Sequence, residues 1–186
     1  MLHYFFIICT ILFLGIRAKF HQPENADHKD QEFAPTREKL LAGQFSLILF
    51  LVHGWWIFNH PPPDFSIMIQ YIGIFCMGGS LPLLYWVHHS LGKYFSARLE
   101  LRINHEIIQT GPYKWVRHPM YSTGFLYLIG AGLVAGNVWV LVLPSISFGI
   151  LVFLRIQDEE KMLEQIQNQE YQKYQQQSKK FIPFIW

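Results

Sequence analysis

The polar residues best suited to chemistry in this sequence fall in two short runs. The first is His105 to Tyr121, "HEIIQTGPYKWVRHPMY", and the second is Asp158, Glu159 and Glu160, one helical turn after Arg155. In the first run Gly111 and Pro112 predict a turn, and Pro119 suits the first turn of an incoming helix, where its missing N–H is not needed. A helix starting there presents unpaired backbone N–H groups and the positive end of its dipole, with Arg117 and His118 alongside. That arrangement suits a carboxylate, such as that of an amino-acid-like cofactor. The carboxylates of the second run suit the opposite partners, an ammonium and the hydroxyls of a ribose. Brought face to face, the two runs would hold both ends of a zwitterion.

Each run also fits a plainer role. Arg117 and His118 are compatible with membrane-interface anchors, with Tyr113, Trp115 and Tyr121 as an aromatic belt. The acidic run is compatible with the solvated start of a new helix, where carboxylates are favoured by the dipole. His88 and His89 have no Cys or carboxylate near them at ligand spacing, so no metal site is expected. His53 is a lone polar group in an apolar run and is expected to make one interhelical hydrogen bond. Cys9 and Cys76 sit in separate apolar runs and are read as packing residues.

The elements that must position these residues are apolar blocks. With 51% hydrophobic and only 15% charged residues over 186 positions, the chain is too apolar for an ordinary soluble domain of its size. Uncharged stretches run Met1 to Ile16, Leu40 to Asn59, Phe65 to Val87, Met120 to Val134 and Val138 to Leu154. Each is near the roughly 17 to 25 residues of a spanning helix. The expectation is an all-α polytopic membrane protein with about five transmembrane helices. The first block lacks a basic region before it and an A-x-A-like cleavage site after it, so it is read as a membrane helix rather than a signal peptide. Arg17 and Lys19 are expected to snorkel at its end, or the helix to continue through Phe20.

Charge supports this topology independently. All 15 Lys and Arg fall in the segments after the first, third and fifth blocks, whereas the "NHPPPD" and "AGN" connections carry none. The positive-inside rule then puts the N-terminus outside, and the C-terminus and both polar runs in the cytoplasm, at a bacterial inner membrane or an endoplasmic reticulum. A net charge of +2 gives no reason to expect a nucleic-acid partner. Gly136 and Asn137 leave room only for a tight hairpin between the last two spans, which brings Arg117–Tyr121 and Arg155–Glu160 together. After Glu160 the Gln-rich stretch is expected to form a helix whose Met162, Leu163, Ile166, Tyr171 and Tyr174 pack back on the protein or the membrane surface.

Taken in order, "LGKYFSARLE", "NHEIIQTGPYKWVRHPMYSTG", "RIQDEEKML" and "EYQKY" with "FIPF" resemble the C-terminal half of the isoprenylcysteine carboxyl methyltransferase family and its phospholipid methyltransferase relatives, from about Leu91 to Pro183. The resemblance divides a single membrane domain into a three-helix part, residues 1–90, and a methyltransferase-like half with a cytoplasmic cofactor-binding region, residues 91–186. It implies an S-adenosyl-L-methionine-dependent methyltransferase for a lipophilic or lipidated acceptor among membrane lipids, such as a prenylcysteine carboxylate. By the same resemblance His105, Glu106, Ile107 and Ile108 line the cofactor pocket, Tyr113, His118, Pro119, Met120 and Tyr121 complete its wall, and Glu159 closes it. Arg155 matches the position that contacts the acceptor. An amine or thiol acceptor would have to lose a proton, with Glu160 or His105 as first candidates for the base. The sequence departs from the family pattern at Phe95, where a Trp is usual, at Asn168 for a Gly, and at Arg98 for an uncharged polar residue.

Two other classes remain open at this point. An NADPH-dependent sterol or enone reductase shares a similar C-terminal design but is expected to carry more basic residues for the 2′-phosphate and more spans. A non-catalytic scaffold would have no need of intact "RHPMY" and "DEE" runs.

Overall fold

A computed structural model of the chain describes residues 1–20, 31–32, 36–59, 61–92, 100–101, 107–166 and 168–181. Six helices carry the architecture: α1 (Leu2–Phe20), α2 (Thr36–Asn59), α3 (Ile67–Leu91), α4 (Pro119–Ala135), α5 (Val138–Ile166) and α6 (Asn168–Gln177). The all-α expectation holds, with one addition. Two-residue strands β1 (Gln31–Glu32) and β2 (Glu100–Leu101) pair antiparallel, Gln31 opposite Leu101, and tie together the segments that follow α1 and α3.

Four helices are long and apolar enough to cross a membrane: Leu2–Phe20, Leu40–Asn59, Ile67–Leu91 and Val138–Glu164. The fifth, α4, has 17 residues. At 1.5 Å per residue it rises about 25 Å, short of a hydrocarbon core of about 30 Å. Its surroundings explain why it can be short. It lies at the centre of the bundle, with Thr123, Tyr127, Leu128, Ala131 and Val134 all buried, and it packs on α1, α3 and α5.

Among the described helices α3 and α4 share the most extensive contact. A Cβ placed on Gly130 would run into the Met77 backbone of α3, and one on Gly73 would run into Val134 and Leu133 of α4. Absent side chains at these two positions let the helix backbones touch, as small residues do in membrane interfaces. The α4–α5 hairpin closes as the sequence predicts. Gly136 adopts a left-handed conformation (φ 65°) that caps α4, and Asn137 Oδ1 accepts from the backbone N–H groups of Trp139 (3.0 Å) and Val140 (3.2 Å) to start α5. Asp64 Oδ2, in the connection before α3, takes the Val138 N–H at 2.9 Å and holds the outer turn to α3.

One expectation is corrected here. The acidic run does not open a new helix, because α5 continues from Val138 without interruption to Ile166, past Pro144. Asp158, Glu159 and Glu160 therefore ride on the last turns of a rigid spanning helix, and their directions are set by the phase of α5.

The glycine contact makes a stability prediction. Gly130→Ala forces a Cβ into the α3 backbone and is expected to cost about 2 kcal/mol. Gly43→Ala, on α2 with nothing within 4 Å of the added carbon, is expected to be neutral or to stabilise by up to about 1 kcal/mol. Thermal unfolding of the two variants in the same detergent checks this; equal midpoints would show that the α3–α4 contact yields easily.

Candidate active site

The turn before α4 is built in two steps. Gly111–Lys114 forms a short 3₁₀ turn that buries Pro112 and Tyr113, and the chain then extends through Val116 and Arg117 to His118, the N-cap of α4, with Pro119 at the first helical position. The C-terminal segment lies alongside this extended stretch. Val116 and Lys179 form a parallel bridge; the Arg117 N–H donates to the Lys179 carbonyl (2.8 Å), the His118 N–H to that of Lys180 (3.1 Å), and the Lys179 N–H to that of Trp115 (2.9 Å). Ser122 Oγ donates to the Phe181 carbonyl at 2.6 Å. The N–H groups of Arg117 and His118, just ahead of the helix, are thus taken by the protein's own tail, while those of Tyr121 and Ser122 in its first turn donate to the His118 carbonyl.

Side chains complete the docking. Tyr174, buried on α6, donates its hydroxyl to the Tyr113 carbonyl at 2.6 Å. Burial pushes its phenol up to about 12, so it remains a donor at neutral pH. Arg117 Nη1 donates to the carbonyls of Gln175 (3.1 Å) and Ser178 (2.6 Å), which caps the end of α6 with a cation.

Glu160 of α5 is where these segments join. Its Oε1 accepts from Arg117 Nε and from His118 Nε2, each at 3.3 Å, while its Oε2 pairs with Lys180 Nζ at 2.8 Å. The partnership with a carboxylate assigns the proton of His118 to Nε2. The Glu160 side chain is only 14% exposed, and three partners engage its two oxygens, two on Oε1 and one on Oε2. Glu160 thus joins the turn before α4, α5 and the tail through one carboxylate.

Glu159 differs. Its side chain is 32% exposed; its Oε2 accepts from Tyr121 Oη at 2.9 Å and lies 3.9 Å from His118 Nδ1, while Oε1 takes part in neither contact. The hydroxyl of Tyr171, on α6, is buried and has no hydrogen-bond partner among the described residues. Glu160, Glu159 and Arg117 are the charges that act on it. A partly exposed carboxylate with an oxygen outside both contacts makes Glu159 the part of the cluster able to receive a polar ligand.

The structure brings together Tyr113, Arg117, His118, Pro119, Tyr121, Glu159 and Glu160 as the hairpin predicted, and Met120 is half-buried within the same turn. Ile107 and Ile108 are half-buried just ahead of it, while His105 and Glu106 lie outside the described residues. Arg155 stands one turn before Glu159 on α5. Sequence reasoning missed Lys180, Ser122 and Tyr171. The basic pair Lys179–Lys180 following a helix, in a chain with an acidic run, was the available signal for the first.

Comparison with known proteins places this geometry. Residues 71–165 match the model of the isoprenylcysteine carboxyl methyltransferase (ICMT) family, a region that reaches back into α3, ahead of Leu91. The chain is 33% identical over 106 residues to the protein-S-isoprenylcysteine O-methyltransferase of Saccharomyces cerevisiae, covering 52% of this chain and 41% of that protein. It is 37% identical over 84 residues to the enzyme of the same name from Tribolium castaneum, covering 44% and 29%. An uncharacterised Bacillus subtilis protein, YpbQ, is 32% identical over 81 residues, covering 44% and 48%. The chain thus spans less than half the length of each of these relatives. A solved structure of a eukaryotic intramembrane Ras methyltransferase superimposes with a TM-score of 0.59 at 22% identity, over 93% of this chain and 65% of that one, which is a likeness of fold.

The ionic junction gives a second prediction. Glu160→Ala strands two or three cations in a largely buried cluster and is expected to destabilise by about 2 to 3 kcal/mol. Lys180→Ala removes a partner that is 31% exposed and is expected to cost less than about 1 kcal/mol. Thermal unfolding in detergent ranks the two, and similar losses would mean that the tail alone maintains the junction.

Proposed function

Because the chain belongs to the isoprenylcysteine carboxyl methyltransferase family, we propose that it is an S-adenosyl-L-methionine-dependent methyltransferase whose acceptor is the carboxylate of a prenylcysteine-type lipid. The observation that carries this reading is the Glu159 end of the cluster. It has a half-exposed carboxylate oriented by Tyr121 and a neighbouring buried hydroxyl, Tyr171, whose donor has no match. These groups fit the polar part of the cofactor, Glu159 accepting from its ammonium or ribose hydroxyls and Tyr171 donating to its carboxylate or a ring nitrogen. When bound, the cofactor supplies an electrophilic methyl group on a sulfonium; a carboxylate oxygen forms the new C–O bond as the S–C bond breaks and its electron pair stays on sulfur.

No proton has to move in such a transfer, so the chain's task is to orient and to exclude water. This agrees with the environment of Glu160, whose carboxylate is committed to Arg117, His118 and Lys180. Those contacts fix the N-terminus of α4 and the tail, and with them the ring of Tyr121 that aims Glu159. Arg155, one turn away, positions the acceptor. The lipid tail of the acceptor stays in the bilayer while its polar end reaches the cluster at the basic, cytoplasmic end of the helices.

Calorimetry with S-adenosylhomocysteine on detergent-purified protein tests the reading. Micromolar binding is expected, weakened roughly tenfold or more by Glu159→Ala. Binding of NADPH alone would move the protein to the reductases, and binding of neither ligand would leave the scaffold reading.

A further inference from the structure

Helix α6 and the four residues after it form a strap across the turn before α4. Tyr171, Tyr174, Gln175 and Ser178 are spaced three and four residues apart, so they share one face of the strap, and the tyrosines and Ser178 are buried. This face and the residues beyond it make the docking contacts. Tyr174 Oη donates to the Tyr113 carbonyl at 2.6 Å, and Arg117 Nη1 donates to the carbonyls of Gln175 (3.1 Å) and Ser178 (2.6 Å). The Arg117 and His118 N–H groups donate to the Lys179 and Lys180 carbonyls, and the Lys179 N–H donates to that of Trp115. Lys180, 31% exposed, meets Glu160 at 2.8 Å where water and salt compete for the pair.

Docking serves the polar groups named above but not Tyr171. That residue is 1% exposed, and its hydroxyl is buried with no hydrogen-bond partner among the described residues. Tyr174, whose ring lies 6.2 Å away, shows the same group with its partner in place. Burial holds the Tyr171 phenol above its ordinary range, so it stays a donor at neutral pH. In a strap lifted into water the hydroxyl is hydrated; in the docked strap it has lost that water and gained no acceptor. Docking alone therefore carries a desolvation cost. An acceptor supplied by a ligand removes this cost in the docked state only, and whatever binds one state in preference shifts the equilibrium towards it.

We propose that the strap is a cofactor-linked lid, and that the Tyr171 hydroxyl couples its closure to the S-adenosyl ligand by donating to a ligand acceptor only when the strap is docked. The inference rests on the methyltransferase reading and adds to it a route of exchange: cofactor enters and S-adenosylhomocysteine leaves when the strap lifts from Trp115–His118. The carboxylate and the ring nitrogens of the ligand are the acceptors available to Tyr171. The lid lies outside residues 71–165, which carry the family match.

The test is hydrogen exchange of the Arg117, His118 and Lys179 amides in the full chain in detergent, read against Leu128 in the core, with S-adenosylhomocysteine binding measured in parallel by calorimetry. In wild type the ligand, at about 100 times its Kd, is expected to slow these amides roughly tenfold or more. Tyr171→Phe is expected to slow them roughly fivefold with no ligand present, because no donor is stranded on docking, and to leave the ligand little further effect. Tyr174→Phe breaks a docking bond but keeps Tyr171; it is expected to speed exchange and to retain the full response to ligand. Wild-type amides that exchange equally with and without bound S-adenosylhomocysteine overturn the lid and leave the methyltransferase reading intact. Faster exchange in unliganded Tyr171→Phe makes the hydroxyl a structural tie and overturns the coupling, as does a ligand response lost in Tyr174→Phe but kept in Tyr171→Phe. Wild-type protein that binds no S-adenosylhomocysteine overturns both readings.

Discussion

The carboxylate of Glu160 lies where three parts of the chain meet: the extended turn before α4, the inner end of α5 and the segment after α6. Arg117 and His118 reach it from the first and Lys180 from the last. Without a negative charge at this point three basic groups would crowd one another, and the tail would have no ionic reason to lie beside Val116 and Arg117. With it, Arg117 is held so that its other nitrogen caps the end of α6, and the two segments can exchange backbone hydrogen bonds. Arg117, His118 and Lys180 are held by this junction. The neighbouring Glu159 stays available because Glu160 has taken the cations.

That division between adjacent carboxylates follows from helix geometry. Residues 159 and 160 are about 100° apart around α5, so one faces the α4 turn and the tail, and the other faces Tyr121. Residue 155, one turn earlier, shares the face of Glu159. A single rigid helix thereby presents a carboxylate joined to the tail, a carboxylate paired with Tyr121 and a cation in fixed relation. The unbroken run from Val138 to Ile166 makes this possible, because a break at Leu154 would have left their directions to a loop.

Rigidity is transmitted to the site from the membrane. The backbones of α3 and α4 touch at Gly73 and Gly130, the Gly136–Asn137 turn joins α4 to α5, and Asp64 ties that turn to the start of α3. The ends of the helices at the Gly136–Asn137 turn are fixed by these contacts, and the helices carry the constraint to the opposite ends that hold Tyr121 and Glu159. Helix α1 adds its packed face to α4 through Thr10 and Phe13, which meet Tyr127.

The helical class, the apolar blocks, the hairpin at Gly136–Asn137 and the meeting of "RHPMY" with "DEE" were legible in the sequence, because each depends on local pattern: run length, turn chemistry and a connection too short to permit any other pairing. What Arg117 and Glu160 face was not legible. A charged residue near a helix end reads the same whether it binds a ligand, a lipid or another part of the chain. Only the tertiary structure, by bringing Lys180 and the tail carbonyls to the α4 turn, decided that Arg117 and Glu160 serve each other and the tail. Likewise the phase of α1 against α4 was decided by the packing of Thr10 and Phe13 on Tyr127. Hydropathy fixes which segments enter the membrane, but it carries no information about rotation of one helix against the next, and that rotation sets which polar side chains meet.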